Sequence, residues 1–174
     1  MRVTNLTNAG IGDPSRKLGE PQDLRDLMSF QLRQLSNLYT KNTASVYLRK
    51  FSLTMNEWRV IALINTAGEL SLNRLAAQAQ FDKGLTSRIV VKLNERGFVA
   101  RQPDPSDARG VALSLTDQGK ALVDEVFPEA VKLNKQLQSC LTKSERDLLA
   151  VALQKLTHQA RAMLDQEREN DQGE

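Results

Sequence analysis

Side chains suited to reading DNA recur at helical spacing in the segment KGLTSRIVVKLNERG. On a helix that starts near Lys83, the residues Ser87, Arg88 and Val91 fall on one face. An arginine can take a guanine edge with two hydrogen bonds, and an outward valine can contact a thymine methyl group. These residue types therefore favour recognition of double-stranded DNA. The alternative is an ordinary surface helix with one stray valine.

The other face of this helix carries Leu85, Thr86, Ile89, Val90 and Leu93, and we expect it to pack against preceding helices. Gly84 would let the backbone approach a phosphate closely, whereas Glu95 should point away from the duplex because it would repel phosphate. We count Thr86 as a candidate contact although it falls on the packing side. The candidate DNA contacts of this helix are Lys83, Gly84, Thr86, Ser87, Arg88, Val91 and Lys92.

A second group of charges follows in the stretch ARQPDPSDARGVALSLT. The runs FVARQ and VALSL predict two strands, and prolines at 103 and 105 stiffen the loop between them. We expect this loop to hold Arg109 at its tip, where a guanidinium suits a narrow minor groove. Asp107 is placed to orient it, unless the two form only a solvated ion pair. Arg101 completes the candidate contacts of this wing.

Periodicity and capping signals predict the elements that position these residues. Apolar residues at three- and four-residue spacing predict one long amphipathic helix from Leu24 to about Phe51. TMNE at 54–57 and TKSE at 142–145 are capping boxes that each open a helix. Ser71, Asp82 and Thr116 are predicted to cap three more helices, and Pro128 is expected to bend the last of these or to start a new segment. The predicted fold is mainly α with a small β-wing, a winged helix-turn-helix core flanked by N- and C-terminal helices.

Composition limits the alternatives. A chain of 174 residues suits one compact domain or two small units sharing a core. No apolar run approaches the ~20 residues of a membrane span, and the polar N-terminal stretch lacks a signal-peptide core. The single cysteine, Cys140, excludes an internal disulfide and makes a reducing cytoplasm the simplest location.

Charge is unevenly distributed along the chain, whose net charge is +3. Residues 73–115 contain seven Lys or Arg against four acids, whereas residues 116–174 contain eight against eleven. A basic middle suggests a polyanionic partner for that part alone. Chance scatter over a solvated surface is the alternative, and charge does not decide between them.

An enzyme is the rival interpretation from another class. Cys140 and His158 are the residues that would form a nucleophile pair, but 18 positions and a helix start separate them, and no motif surrounds either. The sequence has no phosphate-binding GxxxxGK[ST] loop and no cluster with zinc-ligand spacing. We therefore expect neither catalysis nor a metal or cofactor.

The segment from LNRLAAQAQ through KLNERGFV and DAR to LSLTDQGK resembles the MarR family of winged-helix regulators. The resemblance covers roughly residues 24–165. It implies a homodimer whose outer helices interdigitate, with recognition helices in successive major grooves and wings in flanking minor grooves. On this match Ser87 and Arg88 take recognition-helix roles, and Asp107 and Arg109 take wing roles. KGLTS departs from the family, because Gly84 and Leu85 stand where many members carry hydroxyl side chains.

The resemblance also implies the domain boundaries and the mode of action. The expected divisions are a flexible tail at 1–22, a dimerisation helix at 23–53, the DNA-binding domain at 54–116, dimerisation helices at 117–165 and a flexible charged tail at 166–174. We expect a repressor that binds a pseudo-palindromic operator and is released by a small aromatic or anionic effector. Its pocket would be lined by Phe30, Tyr39, Tyr47, Trp58 and Arg59.

Three alternatives remain beside this effector-responsive repressor. The aromatic residues can simply be core packing, in which case the protein binds DNA without an effector. Arg59 can equally be a solvated helix residue. Some relatives sense peroxides through a cysteine near the start of the first helix, where this chain has none. We therefore expect Cys140 to be a buried or inert thiol, with a redox response through it as the third alternative.

Overall fold

The computed structural model describes residues 23–104 and 107–172, and within these ranges every side chain except those of residues 104, 107–109 and 172. The expectations for residues 1–22, for Pro105 and for the last two residues lie outside this part. So do the predicted side-chain roles of Asp107 and Arg109.

The described part is mainly helical with a small antiparallel sheet, as the sequence predicts. A 3₁₀ turn at Leu24–Asp26 precedes the first helix, and a second one at Gln138–Cys140 precedes the last. The helices are α1 Met28–Phe51, α2 Met55–Ala67, α3 Leu72–Ala79, α4 Lys83–Glu95, α5 Asp117–Leu137 and α6 Lys143–Gln172. The strands are β1 Glu69–Ser71, β2 Val99–Asp104 and β3 Asp107–Leu115, in the spatial order β1-β3-β2.

The predicted caps set the helix starts. The Glu57 N–H donates to the Thr54 hydroxyl at 3.2 Å, and the Thr54 N–H donates to the Glu57 carboxylate at 2.6 Å. The same reciprocal pair forms between Thr142 and Glu145 at 2.7 and 3.3 Å. Ser71, Asp82 and Thr116 each accept a first-turn N–H of their helix. A cap of this kind typically contributes about 1 kcal/mol.

The ends of two helices differ from the prediction. The first helix does not begin at Leu24, because Asp23 caps the 3₁₀ turn and Leu27 is extended before α1 starts at Met28. At the other end, α6 continues beyond residue 165 to Gln172, so most of the segment predicted as a tail is helical. Pro128 lies inside α5, which is assigned as one helix on both sides of it.

The hairpin is longer than the sequence predicts. We expected a loop between the runs ending at Gln102 and starting at Val111, but strand pairing continues through Pro103↔Val111 to Asp104↔Asp107, with an irregularity between Pro103 and Asp104. Arg109 therefore lies within β3 and not at the tip of a loop. Proline is tolerated in β2 because that strand is at the edge of the sheet.

The chain divides at Val126/Phe127 into two compact units. In the first, the core forms where α2 packs on α3, α4 and β3. Each fully buried aliphatic side chain there contributes roughly 1.5–3 kcal/mol. These side chains include Leu53, Val60, Ile61, Ile64, Leu75, Leu93, Val99 and Leu113.

The second unit holds the end of α5, the second 3₁₀ turn and α6. In the single chain α6 exposes large apolar side chains: Leu148, Leu149, Val151, Leu153, Leu156, Met163 and Leu164. In the first unit, α1 exposes a similar set, including Met28, Leu32, Leu35, Leu38 and Leu48. Among the described residues no helix is both long enough and apolar enough to cross a membrane.

Candidate nucleic-acid interface

Helix α4 presents a polar face from a tightly fixed start. The Asp82 carboxylate accepts the Leu85 N–H at 2.7 Å and caps the helix. The preceding turn is closed at Gln80, whose φ of 57° is left-handed, and by the Phe81 N–H donating to the Ala76 carbonyl at 3.1 Å. Helix α3, this turn and α4 therefore form the predicted helix-turn-helix, and its second helix is held at its N-terminus.

The two faces of α4 are divided as the spacing predicts. Ile89, Val90 and Leu93 are buried, and Leu85 is half-buried. The outward face consists of Gly84, Arg88 and Glu95, all exposed, with Val91 exposed by 36% and Ser87 half-buried. Lys83 and Lys92 are also exposed. This face can offer a bidentate donor, a hydroxyl and a small apolar surface to the edges of base pairs.

Thr86 is not part of this face, so including it among the DNA contacts was wrong. Its side chain is 0% exposed, and its hydroxyl donates to the Asp82 carbonyl at 2.9 Å. The position lies toward the core, where a buried hydroxyl needs a hydrogen-bond partner, here supplied by the N-cap residue of α4.

Gly84 leaves space at the start of α4. A methyl group at this position would lie 3.2 Å from the capping Asp82 carboxylate and 3.6 Å from Arg88 Nη1. The lack of a side chain therefore keeps the Asp82 cap and the Arg88 guanidinium uncrowded. An exposed glycine here is compatible with close approach of a phosphate to the backbone.

Lys92 is not an isolated cation. Its Nζ lies 2.9 Å from Glu57 Oε1, although the lysine side chain remains 59% exposed. Arg96, one turn further along α4, places Nη1 3.4 Å from the same oxygen. The Arg96 guanidinium also lies 5.0 Å from the centre of the Phe98 ring, just before β2. Glu57 thus joins the start of α2 to α4 and, through Arg96, to the base of the hairpin.

The electrostatics of Glu57 reflect this position. Burial by itself raises the pKa of a carboxyl, but the hydrogen bonds from Thr54 and Lys92, together with the charge of Lys92, outweigh it and lower the pKa of Glu57. The sequence predicted Glu57 as a capping residue and missed its partners. A capping box is local, whereas no sequence signal connects Glu57 with Lys92 or Arg96.

The wing is present as the β2–β3 hairpin, with Arg101 exposed on β2. Arg101 is opposite Leu113, which is fully buried in β3. The backbone of Asp107 and Arg109 belongs to β3. The hairpin therefore extends from the end of α4 and carries its charges on strands.

The predicted pocket residues are only partly brought together. Tyr47 is buried, and its ring centre lies 6.1 Å from that of Trp58 and 6.3 Å from that of Phe51. An open groove of about 290 Å³ runs along α2, lined by Met55, Trp58, Arg59, Ala62, Leu63 and Thr66. Phe30, Tyr39 and Tyr47 are not among its lining residues. Burial raises the pKa of the Tyr39 phenol.

Arg59 belongs to this groove and also to the helix-turn-helix. Its guanidinium lies 5.4 Å from the centre of the Phe81 ring, which is in the turn between α3 and α4. A cation over an aromatic face is attracted by roughly 0.5–1 kcal/mol at an exposed site. The sequence left open whether Arg59 is simply solvated, and the structure gives it a partner.

The two residues considered for catalysis, Cys140 and His158, both lie at the surface. We expected Cys140 to be buried or inert; its thiol is exposed, so the first part of that expectation is wrong. His158 is exposed on α6. In the described part of the chain, no group of three or more His, Cys, Asp or Glu side chains is placed to hold a metal ion.

Comparison with known proteins finds similarity to the family that the sequence resembles. A family model described as "MarR family" matches residues 53–111, from the start of α2 into β3. The chain is similar to the HTH-type transcriptional regulator YkoM of Bacillus subtilis, with 32% identity over 100 residues, 57% of this chain. It covers 64% of YkoM, less than two thirds of that relative's length. It is also 24% identical over 163 residues to the HTH-type transcriptional repressor IacR of Pseudomonas putida, covering 90% of this chain and 97% of IacR.

Two solved structures have a similar fold. A MarR/EmrR family transcriptional regulator from Acinetobacter sp. ADP1 matches with a TM-score of 0.70 and 28% identity, over 77% of this chain and 94% of that one. A mutant MarR from E. coli, complexed with operator DNA, matches with a TM-score of 0.66 and 25% identity, over 74% of this chain and 91% of that one. YkoM, IacR and the Acinetobacter protein are all named as transcriptional regulators or repressors.

Proposed function

We propose that this chain is a member of the MarR family, whose model matches residues 53–111, and that it is a sequence-specific DNA-binding transcriptional regulator of the cytoplasm. In this proposal α4 enters the major groove of a pseudo-palindromic operator, and the β2–β3 hairpin lies along the flanking minor groove. The E. coli MarR complexed with operator DNA has a related fold, which supports this mode of binding.

One observation carries the proposal. The outward face of α4 exposes Arg88 and Val91, although the other face of the same helix is buried in the core. A single exposed valine is also found on solvated surfaces, but beside an arginine it fits the floor of the major groove, which offers a methyl group and a guanine edge to such a pair. Ser87 and Lys83 add hydrogen-bonding groups along the same side.

We further propose that the protein is a homodimeric repressor. Leucines are exposed along α1 and, separately, along α6 in the single chain, and exposed apolar surface of this kind marks sites of association. A two-fold dimer would cover them and place two α4 helices about one turn of DNA apart, ~34 Å. The repressor role is supported by the similarity to IacR, of which this chain covers 97%.

We place the effector in the groove along α2. Its lining is apolar except for Arg59 and Thr66, which suits an aromatic ring that carries a carboxylate. An anion bound to Arg59 would draw the guanidinium away from Phe81 and so disturb the turn that leads into α4. This gives an effector a direct route to the recognition helix.

The decisive experiment is footprinting on the DNA that flanks the protein's own gene, with and without simple aromatic acids such as benzoate and salicylate. We expect one protected site with two-fold symmetry, lost when the acid is added. If the acid has no effect on wild-type protein, the effector proposal fails while DNA binding stands. Release by peroxide instead, abolished by Cys140→Ser, would establish the redox alternative.

A further inference from the structure

Glu57 has one carboxylate oxygen more than its cap requires. Its Oε2 accepts the Thr54 N–H at 2.6 Å and completes the capping box of α2. Its Oε1 faces α4, 2.9 Å from Lys92 Nζ and 3.4 Å from Arg96 Nη1. The side chain is 3% exposed. A glutamine serves equally well in a capping box, so the cap does not explain a buried negative charge at this position.

Lys92 lies at the edge of the proposed DNA-reading face. It follows Arg88 by four residues, so the two side chains lie one above the other on α4. More than half of the Lys92 side chain is exposed, which would let it reach a phosphate if it were free. Glu57 and a DNA phosphate are therefore two anions that compete for one ammonium group.

The buried carboxylate has the advantage in this competition. If Lys92 moved to a phosphate, Glu57 would keep its charge inside the protein with weaker compensation, and burying an uncompensated charge is costly. A phosphate contact at the rim releases a counterion, and the resulting gain falls steeply as salt concentration rises. Lys92 should therefore stay with Glu57 when DNA binds.

We propose that Glu57 limits the sequence-independent affinity for DNA by withholding Lys92 from the phosphate backbone. The inference rests on the proposed DNA binding and adds a residue outside the interface that sets how much of that binding is non-specific. Base contacts by Arg88 would then contribute a larger share of the total binding free energy than the number of cations on α4 suggests.

The test is the salt dependence of binding by Glu57→Gln to a short duplex of random sequence. The substitution keeps the size of the side chain and its capping bond but removes the charge that holds Lys92. We expect tighter binding at low salt. We also expect the slope of log K against log salt to steepen by about 0.9 for each further phosphate that the protein neutralises. If Glu57 only held α4 in place, its loss would weaken binding and leave the slope unchanged, and that result would overturn the proposal.

Two further variants separate the contribution of Lys92 to the slope from the effect of a change in net charge. Glu69→Gln changes the charge equally at an exposed position on β1, and we expect its slope to match the wild type. The double variant Glu57→Gln, Lys92→Gln should lose the extra slope. If the extra slope survives in the double variant, Lys92 is not its source and the proposal is wrong.

The single variant Lys92→Gln tests the proposal even if Glu57→Gln fails to fold. We expect it to bind random duplex with the wild-type slope, because Lys92 makes no phosphate contact while Glu57 holds it. A slope shallower than that of the wild type by about 0.9, the value for one phosphate, would contradict the proposal. A wild-type protein that binds random duplex but protects no site in the footprint would count against the proposed function, not against this role of Glu57.

Discussion

At the scale of single residues, two cations one turn apart on α4 are in different electrostatic environments. Arg88 is exposed on the outward face, whereas Lys92 shares a buried carboxylate with Arg96. A side chain that must leave an ion pair gains less from a new partner than one that is ready to bind. The two substitutions should therefore have different effects on DNA binding.

Arg88→Ala should lower operator affinity by about 1–3 kcal/mol and relax the preference for one base pair, because a bidentate arginine reads guanine directly. Lys83→Ala is the control, since an exposed lysine at the first position of α4 would contact only phosphate. It should weaken binding to operator and scrambled duplex alike. Titration of both variants against both DNAs is the measurement. Equal losses for Arg88→Ala on the two duplexes would remove its base-reading role.

The dependence of stability on acidic pH should show how much the ion pairs of Glu57 contribute. The folded pKa of Glu57 is lowered, so its contribution to stability is present above the ordinary glutamate pKa of about 4.3 and is lost as pH falls through the lower folded value. Between about pH 5 and pH 3 the unfolding free energy of the wild type should therefore fall more than that of Glu57→Gln. Urea titrations across this range measure the difference. Parallel curves would show that the carboxylate is not stabilised by folding.

The Glu145 carboxyl has a lowered pKa as well, because it accepts the Thr142 N–H and hydroxyl. Glu145 is present in both the wild type and Glu57→Gln, so its protonation changes the unfolding free energy of both equally and cancels in their difference. Glu57 and Glu145 together also show what the sequence can and cannot predict for single residues. Both carboxylates were predicted as caps from a four-residue pattern, but only folding brings Glu57 to Lys92 and Arg96, 35 and 39 positions further along the chain.

At the scale of elements, a corner of hydrogen bonds connects the hairpin to α5. The Thr116 hydroxyl donates to the Gly97 carbonyl at 2.6 Å and accepts the Gly119 N–H at 3.0 Å. The Thr116 N–H donates to the Phe98 carbonyl at 3.1 Å. Gly97 itself has a φ of 76°, which favours glycine after α4. Gly119 is buried against this corner, and a Cβ on it would collide with the Phe98 carbonyl.

Gly119→Ala should therefore destabilise the protein by about 1–3 kcal/mol, since the methyl group meets backbone that cannot move aside. Without the collision, the same change inside a helix would stabilise by about 1 kcal/mol. The sign of the effect, read from denaturant midpoints, thus tests the packing. Lys120→Ala, which removes only an exposed pair with Asp117, should change stability by less than about 1 kcal/mol.

The elements themselves were largely predictable from local signals. Five helix starts followed from Thr54, Ser71, Asp82, Thr116 and Thr142, because a cap is made within its own first turn. The length of the hairpin was not predictable in this way. Proline and aspartate favour turns as single residues, but here cross-strand pairing carries the two strands through Pro103 and Asp107.

At the scale of the whole molecule, the exposed apolar side chains of α1 and α6 require an explanation. Leu148 is 68% exposed and Leu48 60% exposed, although the core of the first unit is fully closed. A helix of 30 residues is about 45 Å long. An apolar stripe of this length in water favours association. The sequence predicted the stripes from their period, but a single chain cannot show what covers them.

Deleting the segment from Thr142 onward should abolish both dimerisation and operator binding, because it removes the stripe on α6. Removing only residues 166–174 is the matched control. That truncation keeps the apolar side chains up to Leu164 and should remain dimeric. Sedimentation at micromolar concentration without DNA measures both. A wild-type monomer that binds a full operator tightly would contradict the proposed architecture.

The hairpin has mechanical consequences that follow from its position in the sheet. β3 is flanked by β1 only at residues 112–114, whereas its Val111 and Asp107 pair with β2 alone. The base of the hairpin is held by pairing of β3 with both β1 and β2 and by the hydrogen bonds at Thr116. The distal half is supported only by its own two strands. Any bending should concentrate at the irregular step between Pro103 and Asp104. In the proposed complex this bending would let the wing follow variation in groove width while α4 keeps its register. Backbone amides should exchange with deuterium faster toward the distal end than at Leu113.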